Sequence, residues 1–549
     1  MKLAFLLKIR RKDLLLVAVL FFLHHALIAQ WTEEWVRAAE SQISFSEPVK
    51  ISLHKDYMNN IFITSTNNFT DFYSSPFFDL SKMESEGEIE WSKTGKAYVT
   101  GIVFDDSNHI YLSGIYSDTV SIFGNLLKSN GEKDIYLAKL SPNGQLLWIK
   151  SFGGEEDDES GGLIISNSGK LVLVGSVRKN PAFEDSLIIS DKRCKPFMAT
   201  FDLDGNMENI KLWETEVEYT EDTLYSHMKF LEPILDNRGN IYSLWKLCDI
   251  SVKTEENIIW ATPSQRNYSY TLVKIDSSHR ITKSLYLNNE VWNDFYGLTI
   301  DNCDSPYLLN YLSGKNSSTF ILKFDTLLNS YKSFATPLIS DLHNCNYSHV
   351  MTSSIVVDSC NYMHITGNTI CDDYGTGEEE HNYFFQSIDF LGSQLDYKKY
   401  KLNKQDLKAH DLLLDKNTGK FYTVGYSKSG FQFDSNTISS NTLFLIKYSV
   451  NITDKSPTSV DVGSSIEEIN ISPNPSRNSF TINYQSIKTS DIKIKVRTLT
   501  GTVIYESTEL NPPNTFQKQI DISRSAPGLY FLELVTDKER LVKKIIIAY

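Results

Sequence analysis

The sequence predicts an all-β chain: a seven-bladed β-propeller followed by a small C-terminal β-sandwich. Three observations carry this. A strand–polar turn–strand unit recurs seven times between residues 30 and 452. Aromatic residues are abundant, with 29 Tyr and 30 Phe, and such side chains favour strands. Beyond residue 468 the charge, the apolar spacing and the turn chemistry all change. With 549 residues, 41% hydrophobic and 22% charged, the chain has the composition of a folded protein and the length for more than one core.

Residues 1–29 read as a signal peptide. Lys2, Lys8, Arg10, Arg11 and Lys12 give a positive start, and residues 14–23 are apolar. Ala26-Leu27-Ile28-Ala29 then offers a small residue before a cut at Gln30. The apolar run is shorter than the ~20 residues that span a bilayer. Arg10-Arg11 lacks the rest of a twin-arginine pattern, so general secretion is expected.

Residues 30–452 carry the repeats. The clearest unit opens with Thr100-Gly101-Ile102-Val103-Phe104, turns at Asp105-Asp106-Ser107-Asn108-His109, and returns through Ile110-Tyr111-Leu112-Ser113-Gly114. A second hairpin follows, from Asp134 through Ser141-Pro142-Asn143-Gly144 to Lys150. Asp, Asn, Ser and Gly are the residues that tight turns need. Apolar and alternating flanks suit buried and half-buried strands. Copies of the first hairpin begin at Ile51, Leu163, Ile234, Leu298, Ile355 and Leu413, and copies of the second at Pro196, Tyr270, Phe320 and Leu443. Four-stranded units spaced in this way predict a propeller, in which each sheet buries its faces on its neighbours. The last unit lacks a returning strand after Val450. Residues 31–38, Trp31-Thr32-Glu33-Glu34-Trp35-Val36-Arg37-Ala38, are expected to supply it as the outer strand of the last blade.

The units resemble the β-propeller repeats of bacterial exported proteins. Residues 134–154, ending Ser151-Phe152-Gly153-Gly154, carry the likeness best, and later units lose the Trp and most glycines. Such repeats imply architecture and no particular activity.

Chemistry is harder to find. Glu155-Glu156-Asp157-Asp158-Glu159 is the strongest candidate for a hard cation, yet it lacks the alternating spacing of a calcium loop and reads as a solvated linker. Gly377-Glu378-Glu379-Glu380-His381 reads as another loop. No G-x-S-x-G elbow, phosphate-binding Gly loop or sialidase-type Asp box occurs, so no catalytic, cofactor-binding or metal residue is assigned and no cofactor is expected. His109 and His364 occupy repeat positions, as do Tyr111, Tyr136 and Tyr242, which are expected in the core. The variable stretches 67–90, 178–194, 249–268 and 372–382 are where binding would reside. Cys194, Cys248, Cys303, Cys345, Cys360 and Cys371 permit three disulfides, with Cys345–Cys371 the preferred pair.

Residues 1–29 and 469–549 each carry a net charge of +4, which leaves −22 on residues 30–468. So acidic a body repels phosphate backbones, and nucleic acid is excluded as a partner.

Residues 453–468 are polar, contain Gly463-Ser464-Ser465, and read as a linker. Residues 469–549 then alternate in short runs with turns at Gly501, Pro512-Pro513 and Pro527-Gly528, which predicts about seven strands in a sandwich. Within them, Pro473-Asn474-Pro475 opens, Gly501 marks a central turn, Gly528-Leu529-Tyr530 comes late, and Lys543-Lys544 lies in the last strand. This tail resembles the type A C-terminal sorting domain of the type IX secretion system of Bacteroidetes; Ser525-Ala526 replaces the usual Leu of the late motif. The resemblance implies Pro473, Asn474, Pro475, Gly501, Gly528, Tyr530, Lys543 and Lys544 as sorting-motif residues. It also implies passage through the periplasm to the outer cell surface or the medium. The partners it implies are the secretion machinery and a sortase-like peptidase, with removal of the tail and attachment to surface lipopolysaccharide. For the body, two readings stand: a non-enzymatic module that binds protein or glycan, and a hydrolase or lyase acting on polysaccharide at one propeller face.

Overall fold

The computed structural model describes residues 28–453 and 466–547, apart from 40–49, 67–75, 188–192, 218–226, 260–267, 288–292, 336–344, 374–378, 473–478, 487–491, 510–514 and shorter gaps. Residues 1–27 of the signal segment, most of the linker, Pro473-Asn474-Pro475 and Gly501 lie outside the described residues. The chain forms two compact units, Ala26–Asp454 and Lys455–Tyr549, the second grouped with the undescribed N-terminus. Among the described residues every regular element is a strand.

The first unit is a succession of antiparallel meanders. Tyr98–Phe104, Ile110–Ile122, Asn125–Leu140 and Leu146–Gly153 pair in chain order. The same order holds for Lys50–Lys55 to Ile89–Gly95, Glu159–Ile165 to Met207–Leu212, Asn293–Ile300 to Tyr331–Ala335, and Cys345–Val357 to Gln394–Leu402. Between them, His227–Phe230 to Ile281–Leu287 repeats it with the extra short strand Ile234–Leu235. Leu407–Asp415, Lys420–Ser427 and Thr442–Thr453 make three strands, and Ile28–Ala39 adds the fourth. Trp31 stands opposite Val450 and Val36 opposite Ile446, which is the pairing that residues 31–38 predict.

One aspartate sets the first turn of every meander but the third, where Ser166 takes its place. Asp105 Oδ1 accepts the amides of Ser107 and His109, both at 2.9 Å. Asp236 Oδ1 accepts those of Arg238 at 2.9 Å and Asn240 at 2.7 Å, and Asp301 Oδ1 those of Cys303 at 2.8 Å and Ser305 at 2.9 Å. The fourth turn residue takes positive φ, 60° at Asn108 and 82° at Gly239, which explains the Asn or Gly there. The recurrent Tyr and Lys complete the turn. The Tyr111 hydroxyl donates to Asp105 Oδ2 at 2.9 Å, and Lys139 Nζ lies 5.1 Å from the Tyr111 ring centroid. Tyr307, Asp301 and Lys323 repeat this arrangement at 3.1 and 4.8 Å. In the turn at Asp358 the Tyr position is His364, fully buried, with Nε2 at 3.1 Å from Asp358 Oδ2 and Nδ1 at 2.9 Å from Ser387 Oγ.

Apolar side chains join each meander to the next. Phe62 and Phe78 meet Ile102 and Leu112; Ile135 and Phe152 meet Leu173 and Phe197; Val172 and Met198 meet Ile241 and Trp245. Tyr242 and Leu272 meet Phe295 and Leu308, Leu309 and Ile321 meet Ile355 and Ile365, and Tyr383 and Phe385 meet Phe421 and Tyr448. Val424 and Leu445 of the last meander then meet Ile51 and Ile61 of the first. Among the described residues no single sheet closes into a barrel. Four of the opening strands carry a bulge at the same place, Val99/Gly101, Ser160/Gly162, Thr352/Ser354 and Ala409/Asp411. These strands run close together: a Cβ on Gly101 would lie 2.6 Å from the Leu163 amide nitrogen.

Several expectations are corrected. Stretch 67–90 holds the strand Phe78–Met83, and 249–268 holds Ile250–Lys253 and Ile258–Ile259. Glu379, Glu380 and His381 begin the strand Glu379–Ile388 and are not a loop. Cys194 and Cys303 are free thiols, so the six cysteines do not make three disulfides. Cys345 stands opposite Asp373 and Cys371 opposite Ser348, so these two cysteines are not directly cross-strand.

In the second unit, Ile466–Ser472, Ser479–Ser486 and Thr515–Asp521 form one sheet. Val503–Glu509, Ile492–Thr498, Gly528–Val535 and Arg540–Ile547 form the other. Phe480, Ile482 and Ile520 of the first sheet share one core with Ile494, Val496, Leu532 and Ile545 of the second. That is the packing of a sandwich.

Candidate functional site

The opening strands of five meanders converge on one cavity of about 660 Å³. Leu53 to Tyr57 come from the first meander, Ile102, Val103 and Phe104 from the second, Ile164 and Ile165 from the third, Leu235 from the fourth, and Leu413, Leu414, Lys416 and Asn417 from the last. Apolar residues face it because these strands alternate and end where the turn begins, which leaves their last aliphatic side chains at the mouth.

Polar bonds between neighbouring turns hold the mouth in place. The Tyr57 amide donates to Asn108 Oδ1 at 3.0 Å, and Asn167 Nδ2 to the Asn237 carbonyl at 3.2 Å. The Asn237 amide donates to Asp304 Oδ1 at 2.9 Å, and Asn417 Nδ2 to Asn59 Oδ1 at 3.3 Å. Lys55 pairs with Asp415, which is 2% exposed, and also donates to Asn59 Oδ1 at 2.9 Å. Burial works to raise the Asp415 carboxyl, but Lys55, Thr418 and the Asn417 amide outweigh it and hold it below the ordinary range.

Beneath the mouth the groups are neutral or tied. Burial, with Lys50 adding to it, pushes the His54 imidazole down to about 3, so it carries no charge at neutral pH. Its Nε2 lies 3.5 Å from Thr64 Oγ1, the limit of a hydrogen bond. Thr100 Oγ1 and Ser160 Oγ are 2.6 Å apart. Asp411 Oδ2 accepts the Leu53 amide and its Oδ1 the Ser354 hydroxyl. Ser387 is hydrogen-bonded to His364, but both side chains are fully buried and neither lines this cavity. Among the described residues no group of three or more His, Cys, Asp or Glu residues could hold a metal ion. The site can take up apolar surface; Tyr57 (62% exposed) and Met58 (72% exposed) stand at its rim.

The residues singled out in the sequence lie elsewhere. Tyr111, Tyr136 and Tyr242 are fully buried and offer no stacking platform. The acidic loop is not a solvated linker: Asp158 is fully buried and accepts the amides of Gly154 at 2.6 Å and Arg178 at 2.8 Å. In the tail, Gly528 stands opposite Ile547, Tyr530 opposite Ile545, Lys543 opposite Leu532 and Lys544 opposite Phe531, so these four share two paired strands. Asp411 escaped sequence reasoning, since its partners come from strands far along the chain.

Residues 470–548 match the family of secretion system C-terminal sorting domains. No curated protein matches the chain. Among solved structures, a puromycin hydrolase shares 10% identity over 82% of this chain and 61% of its own, with a TM-score of 0.40. The chain thus spans 61% of that relative's length. An ulvan lyase of polysaccharide lyase family PL25 shares 9% over 72% of this chain and 90% of its own, at 0.41. Sqt1 from Chaetomium thermophilum shares 8% over 77% of this chain and 100% of its own, at 0.36. At these values none of the three assigns an activity to this chain. The tail match does establish a destination: the protein is exported by the type IX secretion system, whose machinery the sorting domain engages, to the cell surface or the medium.

Proposed function

We propose that the exported body is a seven-bladed β-propeller that binds a protein partner at its funnel mouth and performs no chemistry. The observation that carries this reading is the apolar wall of the cavity, Leu53, Ile102, Val103, Ile164 and Leu413, beside exposed Tyr57 and Met58. Tyr and Met over an apolar depression are typical anchors of protein interfaces, whereas a glycan site would need polar groups facing the ligand. The polar groups here already bond one another across the turns. Seven clusters joining successive meanders, the last to the first, support the propeller reading. On this reading 1–29 is removed, 30–452 is the propeller, 453–468 the linker and 469–549 the sorting domain. Pro473, Asn474, Pro475, Gly501, Gly528, Tyr530, Lys543 and Lys544 are then its recognition residues. The test is a binding screen of the mature protein against surface proteins and glycan arrays, run beside a polysaccharide turnover assay. Tyr57→Ala should weaken capture of a protein partner about tenfold or more, the usual size for an exposed aromatic anchor. Turnover of any polymer overturns the binding reading.

A further inference from the structure

We propose that Asp134 and Asp158 share a single proton across Gly153, and that this pair is a pH-sensitive clamp on the junction between the second and third meanders. Both side chains are fully buried. Asp158 has a backbone donor on each oxygen, Gly154 N–H on Oδ2 and Arg178 N–H on Oδ1. Asp134 Oδ2 accepts the Asn130 amide at 3.0 Å, but Asp134 Oδ1 has no partner. A Cβ on Gly153 would lie 2.6 Å from Asp134 Oδ1 and 2.6 Å from Asp158 Oδ2. The two oxygens are therefore no farther apart than twice that distance. Two ionised carboxylates so placed in a low dielectric repel strongly. A proton on Asp134 Oδ1 removes one charge and turns the orphan acceptor into a donor toward Asp158.

The surrounding groups do not supply the missing positive charge. Lys133 reaches Asp157 at 3.4 Å, and the Arg178 guanidinium faces the Cys194 thiol. Asp157 adds a further negative charge facing Asp158, Tyr116 faces Asp134, and Glu159 faces Lys133, Lys229 and Arg178. Burial pushes Asp134 up to about 6 and Asp158 well above the carboxylate range. The pair pins strained backbone. The Asp158 amide donates to the Lys133 carbonyl and the Glu155 amide to the Lys179 carbonyl, both at 2.9 Å. Lys179 and Asn180 are held at φ of 40° and 53°, a conformation that persists only where contacts enforce it.

A carboxyl whose folded pKa is raised stabilises the fold fully below its unfolded pKa, and that contribution is lost as pH rises through the folded pKa. The experiment is thermal unfolding of the full mature protein between about pH 5 and 8, as wild type, Asp134→Asn and Asp158→Asn. Wild type should lose midpoint temperature as pH rises. Asp134→Asn places a permanent N–H donor where Oδ1 stands and keeps the Oδ2 acceptor. It should raise the midpoint at the alkaline end, flatten the slope, and abolish a protonated-carboxyl band in the infrared spectrum. Asp158→Asn sets an N–H₂ against a backbone N–H and should lower the midpoint at every pH. Should that variant not fold, the other two still decide. An Asp134→Asn midpoint below wild type at the alkaline end with an unchanged slope overturns the proposal. So does a midpoint raised by calcium chloride in wild type but not in Asp134→Asn, since a cation would then be neutralising the pair.

Discussion

The Leu53 amide donates to Asp411 Oδ2 at 2.8 Å, joining residues 358 apart in the chain. Asp411 Oδ1 accepts the Ser354 hydroxyl at 2.7 Å and the Leu412 amide at 2.8 Å. One carboxyl thus ties the opening strands of three meanders beneath the funnel. Asp411→Ala leaves these buried donors unpaired and should cost about 3 kcal/mol by denaturant unfolding, at the upper end for charged hydrogen bonds. Asp411→Asn keeps one acceptor and should cost less. Equal losses for the two would show that packing, and not the hydrogen bonds, explains the residue.

The turn aspartates give the acid limb of stability. Burial works to raise Asp105, Asp202, Asp276, Asp325 and Asp415, but backbone and side-chain donors outweigh it and hold each below the ordinary value. With folded values depressed, their contribution is present above the unfolded pKa of about 4 and is lost as pH falls through the folded values. The midpoint should therefore drop steeply below about pH 4. A flat profile down to pH 2 would leave these turns without an electrostatic role.

How legible was this in the sequence? Most of the turns were, because the aspartate and the Asn or Gly that set them lie within four residues of each other, and local chemistry fixes their geometry. The pairing of residues 31–38 was legible because the last unit lacked a strand. Phe78–Met83 was hidden because Asp79 and Lys82, which read as solvent-facing, are 5% and 8% exposed. Asp411 and the Asp134–Asp158 pair were illegible for a related reason. Asp411 takes Leu53 and Ser354 from other meanders, and Asp134 and Asp158 belong to different meanders, so no local pattern announces that they meet. The funnel was equally hidden, since five distant segments line it and each alone is an ordinary strand end.

The tail is a sorting signal with its own core, so its loss should change location and leave the body folded. Deleting residues 469–549 should leave the protein in the periplasm with the near-ultraviolet spectrum of the intact body. Normal surface display of that truncation would refute the role of the tail in export.

Val36 tests whether the N-terminal strand closes the body by apolar packing or by charge. It is 6% exposed and packs with Phe444, Ile446 and Tyr448 of its own sheet and with Tyr383, Phe385 and Tyr400 of the preceding one. On the same strand Glu34 pairs with Lys420 and, at 3.4 Å, with Lys447. Burying a carboxylate at position 36 forfeits the valine transfer energy and adds a desolvation cost, about 4 kcal/mol together. Glu34→Gln removes a largely surface pair and should cost less than about 1 kcal/mol. Ile28–Ala39 bonds to Thr442–Thr453 along its length, so Val36→Asp should first speed amide exchange in Thr442–Thr453. The strand Leu407–Asp415, at the far edge of the same sheet, should lose protection next. Losses of the reverse order, with Glu34→Gln the more damaging change, would mean that the ion pairs and not the apolar face hold the chain ends together.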